Sequence, residues 1–265
     1  MAKRVRENQP SYLDDFQAFT QYDEVIQEVF LRHYAENSNR LPFAKDELVE
    51  ICLKHGLTVR NIPDIIYTYR VRKPLPAAIL AKGYWAIEPA GRGQYAFRLL
   101  KDSPRFEIPF MDYAPVDIYN AIPEVVEGLL RHDEQSLLTR LLYNRLVDIF
   151  TGLTCFHIQN HYRSFVYEMG EVEIDSLYVG VDNRGVLCVL PIEAKSQADS
   201  EMVGRIQVSQ MARLVRQDFS ELERRILATK ALQDGTIAFA EFSDDEDPDD
   251  IKIISVGRYR LIRRG

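Results

Sequence analysis

Apolar residues recur along this chain with two periods. Val25, Ile26, Val29 and Phe30 fall at helical spacing and predict a helix over Tyr22–Tyr34, ended by Asn37-Ser38-Asn39. Leu48, Ile51 and Cys52 predict another over Phe43–His55, with Gly56 as its C-terminal cap. Asn61-Ile62-Pro63-Asp64 reads as a cap and first turn leading into Ile65, Ile66 and Tyr69. Pro74 and Pro76 break that helix and open a shorter one, Ala77–Lys82, stopped by Gly83. The pattern then changes. Tyr84–Ile87 and Gln94–Leu99 flank a Pro-Ala-Gly-Arg-Gly turn and predict a β-hairpin with Arg92 at its tip.

Asp102–Pro115 is proline-rich and aperiodic, which divides the chain into residues 1–105 and 106–265. Beyond it the spacing predicts a helix over Ile118–Arg131 and a long amphipathic helix over Glu134–Phe150. The second would bury Leu137, Leu138, Leu141, Leu142, Leu146, Ile149 and Phe150. Cys155–Val166 reads as a strand or strand pair, and Asp199–Phe219 as a helix with Met202, Val203, Ile206, Leu214 and Val215 inward. Thr236–Phe242 and Ile251–Val256 are further strands.

Between these elements lies Glu171–Gln197, two runs apolar on both faces, as in central strands covered by helices on either side. Asp182-Asn183-Arg184-Gly185 has the composition of a tight turn between them. Folding back there brings Asp175 opposite the Ile192–Glu193 region. Glu193 and Lys195, two apart on a strand, point to one face. Two carboxylates and an ammonium then meet at one end of a sheet. Converging carboxylates are costly unless a divalent cation lies between them, and Mg²⁺ takes oxygen ligands. The alternative is a plain salt bridge ending an ordinary hairpin. Glu173 shares the face of Asp175 and would replace it as ligand in a shifted register.

Composition changes this picture little: 46% hydrophobic and 28% charged residues over 265 positions fit a globular chain. No apolar run reaches the length of a membrane span, and MAKRVRENQP lacks the apolar core of a signal peptide. Cys52, Cys155 and Cys188 are scattered and unpaired in spacing, so a reduced, cytoplasmic setting is expected, with no disulfide framework and no zinc site. His157 and His161 lie on a predicted strand, where a four-residue spacing has no helical meaning. The net charge of −7 is uneven: Lys45–Arg105 is basic, whereas Ser243–Asp250 (SDDEDPDD) is acidic.

Asp175 followed by Glu193-Ala194-Lys195 on the next strand resembles the PD-(D/E)XK nuclease superfamily, over roughly Glu134–Gln210. The resemblance implies an α/β fold, a restriction-endonuclease-like mixed sheet flanked by helices. It also implies Mg²⁺ held by Asp175, Glu193 and the Ala194 carbonyl, with Lys195 positioning the attacking water. In that superfamily the preceding helix often adds an acidic residue, for which Glu134 is the candidate, although a helix N-terminus favours acids for dipole reasons alone. Some members carry a glutamine in the helix after the motif, here Gln207 beside Gln210. The tyrosine that often follows four residues later is replaced by Met211, and a partly exposed amide is the other reading of Gln207. The mainly helical N-terminal region with its basic-tipped hairpin resembles a winged-helix domain. Arg70, Arg72, Lys73, Lys82 and Arg92 are then the expected contacts to double-stranded DNA; a packing or protein-binding domain is the alternative. Together these imply a metal-dependent deoxyribonuclease, best matched by a type II restriction endonuclease that is a homodimer if its target is palindromic. A repair nuclease, an RNA nuclease and a non-catalytic DNA-binding regulator remain as alternatives.

Overall fold

The N-terminal apolar stripes close over a small sheet of their own. The computed structural model describes residues 11–57, 62–131, 133–198 and 202–263, without the side chains of 11–20, 71 and 72. Asn61 and the Asp199 end of the expected later helix therefore lie outside the described residues. Helix α1 (Ser11–His33) leads through strand β1 (Arg40–Ala44) to α2 (Lys45–Lys54), α3 (Ile62–Tyr67) and a π-helical turn over Thr68–Arg72. The single turn α4 (Ala77–Leu80) and the hairpin β2 (Tyr84–Pro89) and β3 (Gln94–Leu100) follow. Phe43, expected to open a helix, instead lies in β1 opposite Tyr95, because Leu41 and Phe43 alternate inward at strand spacing. The three strands run in the order β1-β3-β2. Their core centres on Phe30, edge-on to Trp85 and Phe97 with ring centroids 5.1 Å away in each case. Gly56, at φ 68°, ends α2 as expected, and Leu57 N donates to Cys52 O across it.

The second half is built on one mixed sheet of eight strands. In chain order they are β4 (Val116–Tyr119), β5 (Thr154–Val166), β6 (Gly170–Val181), β7 (Leu187–Lys195), β8 (Glu223–Arg224), β9 (Ile226–Ala231), β10 (Ile237–Phe242) and β11 (Ile253–Ile262). Their order in space is β4-β11-β10-β9-β7-β6-β5, with the short β8 also beside β7. The chain turns from β6 to β7 at Gly185 (φ 82°), where Asp182 Oδ1 accepts from the Arg184 and Val186 amides. Pro191 falls between the stretches of β7 that pair with β8 and with β9. One face of the sheet is covered by α8 (Arg205–Asp218), whose Val208, Met211, Leu214 and Val215 pack on Ile174, Leu177 and Val189. The other carries α6 (Glu134–Tyr143) and α7 (Leu146–Thr151), with Leu137, Leu141 and Leu146 against Tyr178, Leu190 and Phe239.

Two expected helices are corrected. Glu134–Phe150 is not continuous: Asn144 turns its side chain back to accept from Ala121 N and donate to Arg140 O. Arg145 takes φ 51°, and the axis changes there. Leu142 and Ile149 consequently face solvent instead of the core. Ile118–Arg131 is mostly not helical, because Val116–Tyr119 pairs in parallel with β11 and only Glu124–Glu127, after Pro123, makes a turn (α5). Among the described residues no helix is long and apolar enough to cross a membrane.

The acidic loop after β10 finds its partners within the chain. Asp244 pairs with Arg216 and Arg224, and Asp247 with Arg98 of the N-terminal half at 2.6 Å. Asp249 accepts from the Lys101 amide, and the Lys101 ammonium lies 3.9 Å from Asp250, so with Arg98 two of the positive charges of the basic block are engaged here. Ala86, Leu100 and Ile206 add an apolar contact across the same seam. Deeper in the sheet, Glu241 of β10 is 7% exposed and receives two bonds from Arg225, at 2.7 and 2.6 Å. Arg225→Met should therefore cost about 3 kcal/mol in urea denaturation, at the low end for breaking a buried pair because the arginine is partly exposed. An unchanged midpoint would show that this bidentate pair contributes nothing.

Candidate active site

Asp175 owes its position to an irregularity in β6. Ile174 and Leu177, three apart, both pack in the core under α8, whereas Tyr178 packs in the opposite one, so the strict alternation slips beside Asp175. Across the ladder Tyr162 pairs with Ile174 and Asn160 with Ser176. Between them His161 stands at φ 53°. The slip separates Asp175 from Glu173. Glu173 remains exposed and is held by His161 Nδ1 at 2.6 Å and Arg163 Nε at 3.0 Å. Asp175 is turned inward, and its Oδ2 accepts from the Ala194 amide at 2.8 Å. The pairing of Ser176 with Ile192 fixes this register, and Asp175 lies at the level of Glu193 as the hairpin predicted.

Strand β7 is buried from Cys188 to Lys195 between its neighbours. At its end Lys195 is 2% and Glu193 6% exposed, and Lys195 Nζ donates to Glu193 Oε1 at 2.6 Å. The same oxygen receives Gln207 Nε2 at 2.7 Å. Gln207 lies in the first turn of α8, and its Oε1 accepts from Gly204 N, so one amide caps the helix and reaches the carboxylate. A side chain at 204 would crowd it, since a Cβ there would lie 3.1 Å from Gln207 Oε1. Met211, which stands where the resemblance would place a tyrosine, is core.

These groups line a cleft of about 330 Å³ whose walls also include Glu134, Tyr67, Arg70 and Gln210. Glu134 follows the N-cap Asp133 of α6, and its charge raises the proton affinity of both Asp175 and Lys195. Burial, then the neighbouring Glu193, pushes the Asp175 carboxyl up to about 8. Burial alone would weaken the Lys195 ammonium, but the charge of Glu193 and its hydrogen bond outweigh that and hold the lysine protonated. Once Asp175 is ionised, Asp175 and Glu193 together carry more negative charge than the Lys195 ammonium balances, which suits a hard divalent cation. Asp175 and Glu193 would hold it with the Ala194 backbone oxygen. Among the described residues no three His, Cys, Asp or Glu side chains form a ready-made metal cluster, so this set needs a backbone oxygen and water to complete it.

No protein-family model, curated protein or solved structure matches this chain.

The five expected DNA contacts do not share one environment. Lys73 is ion-paired with Asp23 at 2.6 Å and lies over the Tyr69 ring, and Lys82 lies over the Tyr34 ring. The side chain of Arg72 is outside the described residues. Arg92 is exposed at the hairpin tip, and Arg70 is turned into the cleft itself. The two arginines line one groove against Phe165 and Gly170 at the β5–β6 turn, and that groove meets the cleft at Arg70 and Glu171. His157 bonds Asn160 and His161 bonds Gln135 and Glu173, so the two imidazoles have separate partners. Arg258 of the basic tail is buried on Asp234 and Thr236.

Gln207→Ala should weaken Mg²⁺ binding about tenfold, because partners of a metal ligand typically contribute tenfold or more. A Mg²⁺ titration followed by thermal unfolding reads this directly. Unchanged affinity would assign Gln207 to helix capping alone.

Proposed function

We propose that this chain is a Mg²⁺-dependent endonuclease that hydrolyses phosphodiester bonds in double-stranded DNA, of the sequence-specific type II restriction class. The observation that carries this reading is the convergence of Asp175, Glu193, Lys195 and Gln207 at the end of two central strands. A buried lysine and two carboxylates in one open cleft have no structural task that a plain apolar strand end would not do better. The mixed sheet with α8 on one face and α6–α7 on the other supports the PD-(D/E)XK resemblance. The order α1-β1-α2-α3-α4 before the β2–β3 hairpin, with its three-stranded sheet, supports the winged-helix one.

Asp175 and Glu193 would hold the cation, and Gln207 and Lys195 fix the orientation of Glu193. When bound, Mg²⁺ supplies Lewis-acid stabilisation of the phosphate and makes a nearby water more acidic. Lys195, as an ammonium, donates hydrogen bonds, so its part is to orient the attacking water and to neutralise charge on the phosphate oxygens. Glu134 stands at the cleft wall, where it would add a further negative charge toward the cation. The exposed rings of Tyr67 and Phe165 beside Arg70 and Arg92 suit a nucleic-acid strand, which stacks on aromatics and is held by cations. Competition between duplex DNA and RNA substrates in Mg²⁺, with EDTA as the blank, tests the assignment. Preferential RNA cleavage would reverse the substrate class.

A further inference from the structure

Arg70 differs from the arginines that tie this molecule together. Arg98, Arg216, Arg224, Arg225 and Arg258 each meet a carboxylate. Among the described residues Arg70 meets none. Its Nη2 donates to Gln210 Oε1 at 2.8 Å, and its Nε is buried without a hydrogen-bond partner. Gln210 Nε2 is likewise a buried donor with no partner. A guanidinium with no carboxylate in contact is expensive to bury even with the charge of Glu193 in the same cleft, and an unsatisfied donor adds to the cost. Here the two sit side by side, Arg70 from the N-terminal half and Gln210 from α8, one turn beyond Gln207. Both line the cleft that holds Asp175, Glu193 and Lys195. Arg70 also faces the groove that continues to Arg92.

We infer that Arg70 and Gln210 form a phosphate subsite across the seam between the two halves, which holds the backbone of the DNA strand being cut. This rests on the nuclease reading and deepens it. Arg70 is then a substrate contact inside the catalytic cleft, and the N-terminal half completes the active site in addition to any part it has in reading sequence. Chemically the fit is direct: a phosphodiester offers anionic oxygens to a planar fork of donors, and the adjacent amide supplies one more. The cation would draw the phosphate in from one side and Arg70 from the other, so the strand entering along the Arg92 groove is fixed at both ends of the cleft.

The test uses the full-length protein, a short fluorescein-labelled duplex, and the variants Arg70→Gln and Arg70→Lys. Duplex binding is read by anisotropy in Ca²⁺, cleavage by single turnover in Mg²⁺, and the metal site by the Mg²⁺-induced rise in Tm. For Arg70→Gln the subsite predicts binding and cleavage about 10- to 100-fold weaker, the loss of one charge-assisted contact, with the Mg²⁺-induced rise retained. Arg70→Lys should fall between that variant and the parent. Unchanged binding and cleavage in Arg70→Gln would overturn the subsite while leaving the nuclease reading in place. So would equal defects in the Gln and Lys variants that scale with lost Tm, since the arginine would then only hold the halves together. A parent protein that never cleaves, yet binds duplex in an Arg70-dependent way, would remove the nuclease reading and keep the subsite.

Discussion

Lys195→Ala is expected to lose cleavage by at least about 10²- to 10³-fold, the scale for removing one preorganised charge stabiliser. It should also lose stability, by about 3–5 kcal/mol in metal-free buffer. The second effect follows from burial. Among the described residues Lys195 is the one cation bonded to Glu193, and its removal leaves Glu193 beside Asp175 in a cleft that Glu134 also faces. Breaking one partner of a buried pair leaves an uncompensated charge, which costs more than the pair itself contributed. For a chain of this size that is roughly a 10 °C fall in Tm. Saturating Mg²⁺ should restore part of it, because the cation takes over the neutralisation. Thermal unfolding of parent and variant, with and without Mg²⁺, measures both parts. A variant as stable as the parent without metal would mean that the carboxylates are solvated and the cleft is not the strained site described here.

Asp175→Asn should have the opposite sign in stability. The Asp175 carboxyl is pushed up to about 8 from an ordinary value near 4, first by burial and then by Glu193. A raised carboxylate contributes stability that is fully present below its unfolded pKa and is lost as pH rises through the folded one. Metal-free parent protein is therefore predicted to lose stability between about pH 4 and pH 8. The asparagine variant lacks that loss and should be the more stable of the two at pH 8. The same proton competes with the cation. Apparent Mg²⁺ affinity of the parent should rise about tenfold per unit of pH up to about 8, and the variant should show neither the Mg²⁺-induced rise in Tm nor cleavage. Equal Mg²⁺ stabilisation of both proteins would remove Asp175 from the ligand set.

Both effects would follow from a site that is unfavourable without the proposed cation, as functional sites commonly are. It also explains which parts of the site were legible in the sequence. The Asp182–Gly185 turn sets a register, and register alone carries Asp175 to Glu193 and both to the end of buried strands. Period-two alternation could not reveal the slip that parts Asp175 from Glu173, because that slip depends on His161 of the neighbouring strand. The break at Asn144–Arg145 was hidden for a similar reason. Seven apolar residues at helical spacing predict one helix, and what divides it is a side-chain bond to the amide of Ala121, far along the chain. Gln207 was visible as a position, and only the closeness of Gly204 explains how its amide turns back to Glu193. Arg70 reads in the sequence as one DNA contact among five, because a linear sequence records its charge and not the seam that closes over it. The acidic stretch after β10 showed only its charge in the sequence, and not that Asp244 and Asp247 neutralise arginines from α8, β8 and the N-terminal hairpin.

The most direct measurement is incubation of the full-length protein and of Lys195→Ala with mixed-sequence duplex DNA, each in Mg²⁺ and in EDTA. The site described here predicts discrete fragments from the parent in Mg²⁺ alone and none from the variant. Intact DNA in every lane, with salt-sensitive binding retained by both proteins, would contradict it and leave a DNA-binding protein without catalysis.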